Sequence, residues 1–316
     1  MINRNCLMPN GKEPLKHRIA MWGLEAMAAM PLWVLYRLSD VAFIIIYYIA
    51  GYRRSTVKKN LTESFPEKSP KEIKHIARLF YRNFTDNVVE TVKLLNISDR
   101  EMQRRMVFEG TEITDSYLAQ GRHVVAYFSH CGNWEWAPSL TLWSRFRQDA
   151  SVSFCQIYRP LRNKWMDTLM LRLRSRFGSV SLTKRMAFLD LLRYKKQGIA
   201  TMTGFMSDQK PSHGDTVHVV RFLNHPTAVI TGTETVARRL NAAVVYWDMH
   251  KTSRGHYRIK TRLITDNPAQ LPEFAITDRY ISLLQQTIEA DPAIWLWTHK
   301  RWKNKVTFAD NGTKIS

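Results

Sequence analysis

Short β-rich runs alternate with helical stretches over most of the chain, and this alternation limits the possible folds more than any other feature of the sequence. The run HVVAYFS at 123–129 is followed by the helix-compatible stretch NWEWAPSLTLW. Further strand-like runs occupy 151–157, 199–206, 243–249 and 257–264, and helical stretches occupy 161–177, 187–196, 234–240 and 276–290. Strands separated by helices predict an α/β domain in which helices cover a sheet.

The N-terminal part of the chain contains two apolar runs, at 19–36 and 41–50, interrupted by Glu25, Pro31, Arg37 and Asp40. A helix that crosses a membrane needs roughly 20 apolar residues. A single tilted helix, a shallow hairpin and an interfacial helix followed by a buried one therefore all remain open, as does a pair of ordinary core helices. The cations that follow favour membrane contact, with the next domain on the cytoplasmic side; they are Arg53, Arg54, Lys58 and Lys59.

Three regions follow from this pattern. We assign 1–52 to an N-terminal membrane anchor region, 53–305 to one folded domain and 306–316 to a C-terminal tail. Within the folded domain, apolar residues at intervals of three, four or seven predict a long packing helix at 70–95. No internal repeat or glycine-rich linker divides the domain.

The net charge points to an anionic partner. Lysine and arginine number 47 against 27 acidic residues, a formal charge of +20, which attracts nucleic acid, anionic lipid or a phosphorylated substrate. No recognisable nucleic-acid module is present, so we expect no nucleic-acid partner. Cys6, Cys131 and Cys155 are too few and too irregularly spaced for a disulfide framework. Neither HExxH nor a cysteine–histidine cluster occurs, and we expect no metal site and no cofactor.

The motif SHCGNWE at 129–135 contains the residues best suited to chemistry. On a regular helix, His130 and Glu135 would point about 140° apart, because each residue turns the helix by about 100°. If His130 instead lies on the turn after the strand, and Glu135 in the first turn of the next helix, the carboxylate can fold back toward the imidazole. Gly132 permits such a tight turn.

A carboxylate and an imidazole in contact form a general base. The carboxylate fixes the tautomer through one ring nitrogen, and the other nitrogen takes a proton from a hydroxyl group. A histidine and a glutamate at this spacing are, on their own, more often structural or surface residues. Their place at a strand end followed by glycine and a helix favours catalysis, because catalytic groups of open α/β sheets collect there.

The motif resembles that of the late acyltransferases of lipid A biosynthesis, within the lysophospholipid and glycerolipid acyltransferase superfamily, whose motif is histidine, four residues and an acid. Within this motif, Asn133 and Trp134 are the residues typical of the lipid A branch of the superfamily. The similarity continues in Tyr158-Arg159-Pro160, in Ser207-Asp208-Gln209, in TGTE at 231–234 and in WLWTHKRWK at 295–303. The resemblance implies a mixed sheet flanked by helices, with a membrane-associated N-terminal segment.

The resemblance also implies a function for the domain at 53–305. An acyl chain passes from an acyl thioester, carried by acyl carrier protein, to a hydroxyl group of a phosphorylated lipid A precursor, on the cytoplasmic face of the inner membrane. His130 and Glu135 would be catalytic, and Asn133, Arg159 and Asp208 would bind substrate. The motif alone leaves open another acceptor, such as a lysophospholipid, an aminolipid or a glycolipid, and a non-enzymatic basic membrane-binding protein.

Several of these residues also have plainer interpretations. Cys131 beside a histidine could carry the acyl chain as a thioester, but family members vary at this position and we expect the side chain simply to pack. Arg159 could be a surface cation, and Asp208 could cap the loop before Pro211. The cations among 161–177 are expected to point outward, toward anionic headgroups, an acidic carrier protein or solvent.

Overall fold

Seven strands form one mixed sheet, and two more form a separate antiparallel pair. The computed structural model describes residues 14–212, 217–303 and 306–307. In chain order the strands are β1 Met106–Glu109, β2 Val124–Phe128, β3 Val152–Tyr158, β4 Val180–Thr183, β5 Ala200–Met206, β6 Val219–Phe222, β7 His225–Ala228, β8 Ala243–Ser253 and β9 His256–Thr265. The large sheet has the order β1-β9-β8-β2-β5-β3-β4, and β6 pairs with β7.

Five neighbouring strands of the large sheet, from β8 to β4, run in the same direction. β9 runs antiparallel to β8, and β1 is parallel to β9. The carboxyl ends of β2, β5, β3 and β4 therefore meet at one edge, which is where ligands bind in open α/β sheets. The α/β class and the mixed sheet are confirmed.

Ten α-helices among the described residues surround the sheet. They are α1 Leu15–Ala29, α2 Leu32–Phe43, α3 Arg54–Ser64, α4 Pro70–Lys93, α5 Asp99–Arg105, α6 Thr111–Ala119, α7 Lys164–Arg174, α8 Ala187–Lys196, α9 Gly232–Leu240 and α10 Ala275–Ala290. The predicted helix at 70–95 is α4, which begins with a capping box between Ser69 and Glu72. The predicted helix at 187–196 is α8.

The stretch that follows His130 is a 3₁₀ helix, Trp134–Leu142, rather than the α-helix that its composition allowed. Pro138 lies in its interior and has no N–H group. An α-helix would need that group to bond the carbonyl of residue 134, and it would place the proline ring against the same carbonyl. The tighter helix changes the direction in which the side chains of this segment point.

The apolar N-terminal runs form α1 and α2, which are separated at Pro31. α2 continues as a π-helical segment, Ile44–Ile49. Among the described residues, Leu32–Ile49 is the one segment long and apolar enough to cross a membrane, with a mean hydropathy of 1.6 and 28% of it buried. Its exposed apolar side chains include Trp33 at 69% and Ile49 at 76% exposure.

One side of α2 packs against α4. Leu35 is fully buried in a small cluster with Val89, and Ser39 donates a hydrogen bond to Asp86 (Oγ to Oδ1, 2.8 Å). The two parts are thus joined by contacts across the predicted boundary at residue 52. Residues 1–13, which include Cys6, and most of the predicted tail at 306–316 lie outside the described residues.

Candidate active site

The expected site residues gather at the carboxyl edge of the sheet. His130 follows β2 by two residues, Asp208 follows β5 by two residues, and Arg159 directly follows β3. β5 lies between β2 and β3. The parallel register therefore brings three segments that are distant in sequence to one end of the sheet.

His130 is held by Asp208. The imidazole Nδ1 lies 2.8 Å from Asp208 Oδ1, and the His130 backbone N–H donates to Oδ2 at 3.0 Å. Trp295 donates its indole N–H to the same Oδ2 at 2.9 Å. The side chain of Asp208 is 2% exposed and that of His130 is 15% exposed. The carboxylate is therefore fixed by three donors, and the second ring nitrogen, Nε2, lies 3.2 Å from the side-chain amide Nε2 of Gln209.

The electrostatics of the pair follow from this geometry. Burial alone would raise the pKa of Asp208. The charge of His130 and the hydrogen bonds that it donates have the larger combined effect in the opposite direction, and the pKa of Asp208 falls to about 2. Burial lowers the pKa of His130, whereas the Asp208 charge and hydrogen bond, with a smaller effect of Glu135, raise it above the ordinary 6.5. The pair therefore stabilises a positively charged imidazolium.

The predicted contact between His130 and Glu135 is wrong. None of the hydrogen bonds or ion pairs among the described residues joins them. Instead, Arg174 of α7 donates two hydrogen bonds to the Glu135 carboxylate, from Nε to Oε2 at 2.8 Å and from Nη2 to Oε1 at 2.6 Å. The reason is the 3₁₀ helix, which turns Glu135 toward α7. The cations of 161–177 were expected to point outward, and this expectation is wrong for Arg174. Its side chain pairs with Glu135 and is only 19% exposed.

Asn133 also differs from its expected role. Its side chain is 1% exposed and donates to Glu90 Oε2 at 2.8 Å, on α4. The same carboxylate accepts hydrogen bonds from Tyr257 at 2.9 Å and from Tyr36 at 3.0 Å. Asn133 therefore ties the turn after His130 to a buried polar cluster and does not line the cavities near His130.

Gly132 forms the turn as predicted. Its φ is +54°, and a Cβ there would lie 2.7 Å from Met249 Sδ. Its N–H donates to the Ile294 carbonyl at 2.9 Å, and its carbonyl accepts from Asn87 Nδ2 at 2.7 Å. The turn is thus bonded on both sides to neighbouring segments.

We expect Gly132→Ala to lower the free energy of unfolding by about 1–3 kcal/mol. A left-handed conformation costs a side-chain-bearing residue roughly 1–2 kcal/mol, and the added methyl group also meets Met249. Urea unfolding followed by circular dichroism measures the change. Gly121→Ala, a positive-φ position with open space around it, is the control that isolates the contribution of the close contact.

Cys131 packs, as expected. The side chain is fully buried, and burial raises the pKa of its thiol above the ordinary value. Its backbone forms an isolated β-bridge with Trp295. A thiol that is both inaccessible and difficult to ionise is a poor nucleophile.

Two adjoining spaces meet near His130. A narrow apolar cavity runs between the sheet and the 3₁₀ helix; its lining includes Phe128, Leu140, Phe154, Met202 and Trp247. An open basin of about 830 Å³ contains His130, Gln209 and the cations Arg159, Arg174, Lys184, Arg185 and Lys210, and no acidic side chain is among the described residues that line it. The two spaces adjoin, because both are lined by Ile157, Tyr158, Arg174 and Met206.

The sequence did not reveal the contacts of Arg174 and Trp295, and its motifs indicated that Asp208 binds substrate. A signal for Asp208 existed, because it stands two residues beyond β5 as His130 stands two residues beyond β2. Side chains at the ends of neighbouring parallel strands lie close together. Among the described residues no group of three or more His, Cys, Asp or Glu side chains could hold a metal ion.

The fold and the site combine a mixed α/β sheet with a histidine that is held by an aspartate and lines a cationic basin, next to an apolar cavity. The family model for bacterial lipid A biosynthesis acyltransferases matches residues 16–304. The chain belongs to this family and is therefore an acyltransferase of lipid A biosynthesis, not a non-enzymatic membrane-binding protein. No curated protein sequence matches the chain.

Proposed function

We propose that the protein transfers a fatty acyl chain from an acyl thioester on acyl carrier protein to a hydroxyl group of a phosphorylated lipid A precursor, with His130 as general base. The observation that carries this proposal is the contact between His130 Nδ1 and Asp208, with His130 lining the cationic basin that adjoins the apolar cavity. One space suits an acyl chain, and the other suits an anionic acceptor.

In the proposed reaction Nδ1–H of His130 donates to Asp208, and Nε2 removes the proton from the acceptor hydroxyl group. The hydroxyl oxygen attacks the thioester carbonyl carbon, and the tetrahedral intermediate then breaks its C–S bond. The imidazolium returns its proton to the departing thiolate, so the products are an ester and a thiol. Gln209 Nε2, 3.2 Å from His130 Nε2, is near enough to donate to the oxyanion once a substrate replaces that contact.

Glu135 has an indirect role in this proposal. Its carboxylate holds Arg174 at the boundary between the two spaces, and its charge adds to the rise in the His130 pKa. We therefore assign Glu135 as a positioning residue for Arg174 and as a source of negative potential at the imidazole. Asp208 takes the role of direct partner.

The acceptor and the donor would approach from the cationic side. Arg159 is exposed at the end of β3 and lines the basin, where a guanidinium can bind phosphate through two hydrogen bonds. Lys184, Arg185 and Lys210 add positive charge to the same basin. The acyl chain of the donor would enter the adjoining apolar cavity.

Placement at the cytoplasmic face of the inner membrane is part of the proposal. It is supported by the apolar segment Leu32–Ile49 and by the cations Arg53, Arg54, Lys58 and Lys59 directly after it. In this arrangement 1–52 is the anchor region, 53–305 is the catalytic domain and 306–316 is a tail.

Mass spectrometry of the lipid A fraction tests the function. Cells lacking the gene should produce lipid A with one acyl chain fewer, and wild type but not His130→Ala should restore that chain. If lipid A is unchanged while phospholipids or aminolipids lose an acyl chain, the acceptor is a different membrane lipid. If no lipid changes, the proposal is wrong.

The pH dependence of activity reports on His130. Because its pKa is raised and the base must be neutral, we expect kcat/KM to rise with pH with a midpoint above 6.5. In Asp208→Asn the residual activity should have its midpoint at a lower pH, because burial still lowers the His130 pKa while the main opposing charge is gone. Rates measured from pH 5 to pH 9 would show this shift, and an unchanged midpoint would contradict the assignment.

A further inference from the structure

A second cavity, separate from the space around His130, lies between α3 and α4. It encloses about 660 Å³, within the roughly 300–1,000 Å³ of small-molecule sites. None of the residues that line it also lines the apolar cavity or the cationic basin. We call it the α3–α4 groove.

The α3–α4 groove is built from facing stripes on its two helices. On α3, Arg54, Lys58 and Thr62 recur at intervals of four, and on α4 Lys74 and Ala77 do so at an interval of three, which places each set on one face of its helix. Val57, Ile73, Ala77, Tyr47 and Tyr81 are buried and form an apolar floor, and Arg54, Lys58, Lys68 and Lys74 stand at the rim.

The rim carries positive charge that the described part of the chain does not neutralise. Arg54, Lys58 and Lys74 take part in none of the salt bridges between described residues, and Lys68 lies 3.8 Å from the exposed Glu67. No acidic side chain is among the described lining residues. The first turn of α3 also contains no acidic residue, and no side chain caps it. Cations at the N-terminal end of a helix are repelled by the positive end of the helix dipole. A bound anion would offset this repulsion, and it would also offset the repulsion among the rim cations themselves.

The position of the groove identifies the source of the anion. Tyr47 belongs to Ile44–Ile49, the end of the apolar segment, and that end exposes Ile44, Ile45, Tyr48 and Ile49 to the surroundings. The groove therefore adjoins the surface that would contact acyl chains, and its cations lie where lipid headgroups begin. An apolar floor beneath a cationic rim complements a single molecule that is both apolar and anionic.

We propose that the α3–α4 groove binds one anionic phospholipid of the surrounding membrane, with its phosphate at Arg54, Lys58 and Lys74 and its acyl chains along Tyr47. This lipid is not the acceptor, because the groove is separate from the space around His130. This inference rests on the membrane placement proposed above but not on acyl transfer, so the test below can fail while the proposed acyl transfer holds, and the reverse is also true.

Binding of short-chain phosphatidylglycerol to the purified full-length protein in uncharged detergent, measured by calorimetry, tests the proposal. Short-chain phosphatidylcholine and inorganic phosphate are the comparison ligands. Phosphatidylglycerol should bind at least about tenfold more tightly than either, because only it offers both net charge and acyl chains. If phosphatidylcholine or phosphate alone binds as well, the proposal is wrong.

Matched variants locate the site. Lys58→Gln with Lys74→Gln removes two rim cations, whereas Lys59→Gln with Lys71→Gln removes the same charge from α3 and α4 at positions that do not line the groove. We expect the first pair to weaken phosphatidylglycerol binding about 30-fold and the second about threefold or less. Equal losses would mean diffuse attraction and would overturn the site.

A third variant tests the groove itself. Thr62→Trp fills the space from an exposed position without removing a charge, and we expect it to abolish binding while the thermal unfolding temperature stays that of wild type. Wild-type affinity in Thr62→Trp would contradict the proposal. So would a Lys58→Gln, Lys74→Gln protein that loses affinity for an acidic carrier protein but not for the lipid.

Discussion

Asp208→Asn should lower kcat by about 10²–10⁴-fold while the protein remains folded. The amide keeps the volume of the carboxylate, and its oxygen can still accept from Trp295 and from the His130 backbone N–H, as Oδ2 does now. It removes the charge that stabilises the imidazolium. Its NH₂ group also favours the tautomer in which Nε2 carries the hydrogen and cannot act as a base.

Steady-state rates with an acyl carrier thioester and the lipid acceptor measure this loss. Asp190→Asn is the matched control, because it makes the same chemical change in an aspartate that pairs with Arg193 on α8, outside the site. That variant should retain the wild-type kcat. If Asp208→Asn stays within about threefold of wild type, the pairing of Asp208 with His130 has no catalytic role and our mechanism is wrong.

Arg174→Met should lower the free energy of unfolding by about 3 kcal/mol. The change leaves the Glu135 carboxylate, which is 12% exposed, without its bidentate partner; breaking a buried pair costs roughly 3–5 kcal/mol, and partial exposure places this case at the low end. Activity should also fall, because Arg174 lines the junction of the two spaces.

A double-mutant cycle with Glu135→Gln isolates the interaction energy between Arg174 and Glu135 from the contacts that each side chain makes with other residues. Urea unfolding of both single variants and of the double variant should give a coupling energy of about 1–3 kcal/mol. The double variant should be more stable than Arg174→Met, since no charge is then buried without a partner. A coupling energy near zero would mean that Glu135 and Arg174 do not stabilise one another, and the positioning role of Glu135 would be withdrawn.

The sequence predicted the parts of the fold that local chemistry determines. The strand before His130, the turn at Gly132 and the long helix α4 each depend on residues close together in the chain: a β-rich run, a glycine and a capping box. The short strands β1 and β4 were not predicted, because four residues carry too little periodicity to be distinguished from loops. Their positions depend on pairing with β9 and β3.

The partner of His130 could not be read from spacing alone. Glu135 is near in sequence, but Pro138 favours a 3₁₀ helix that turns its carboxylate to Arg174, 39 residues further along. Asp208 is 78 residues from His130 and reaches it only because β5 lies next to β2. Strand order is a property of the whole sheet, and no local pattern specifies it.

In the proposed mechanism His130 acts directly as the base, and no acyl-enzyme forms. The most direct test compares the initial rate of acyl transfer by His130→Ala, Cys131→Ala and wild type with the same thioester donor and lipid acceptor. We predict a loss of about 10²–10⁴-fold for His130→Ala and a rate within about threefold of wild type for Cys131→Ala. A His130→Ala enzyme with the wild-type rate, or an inactive but folded Cys131→Ala enzyme together with an acyl adduct on Cys131 of the wild type, would contradict the account.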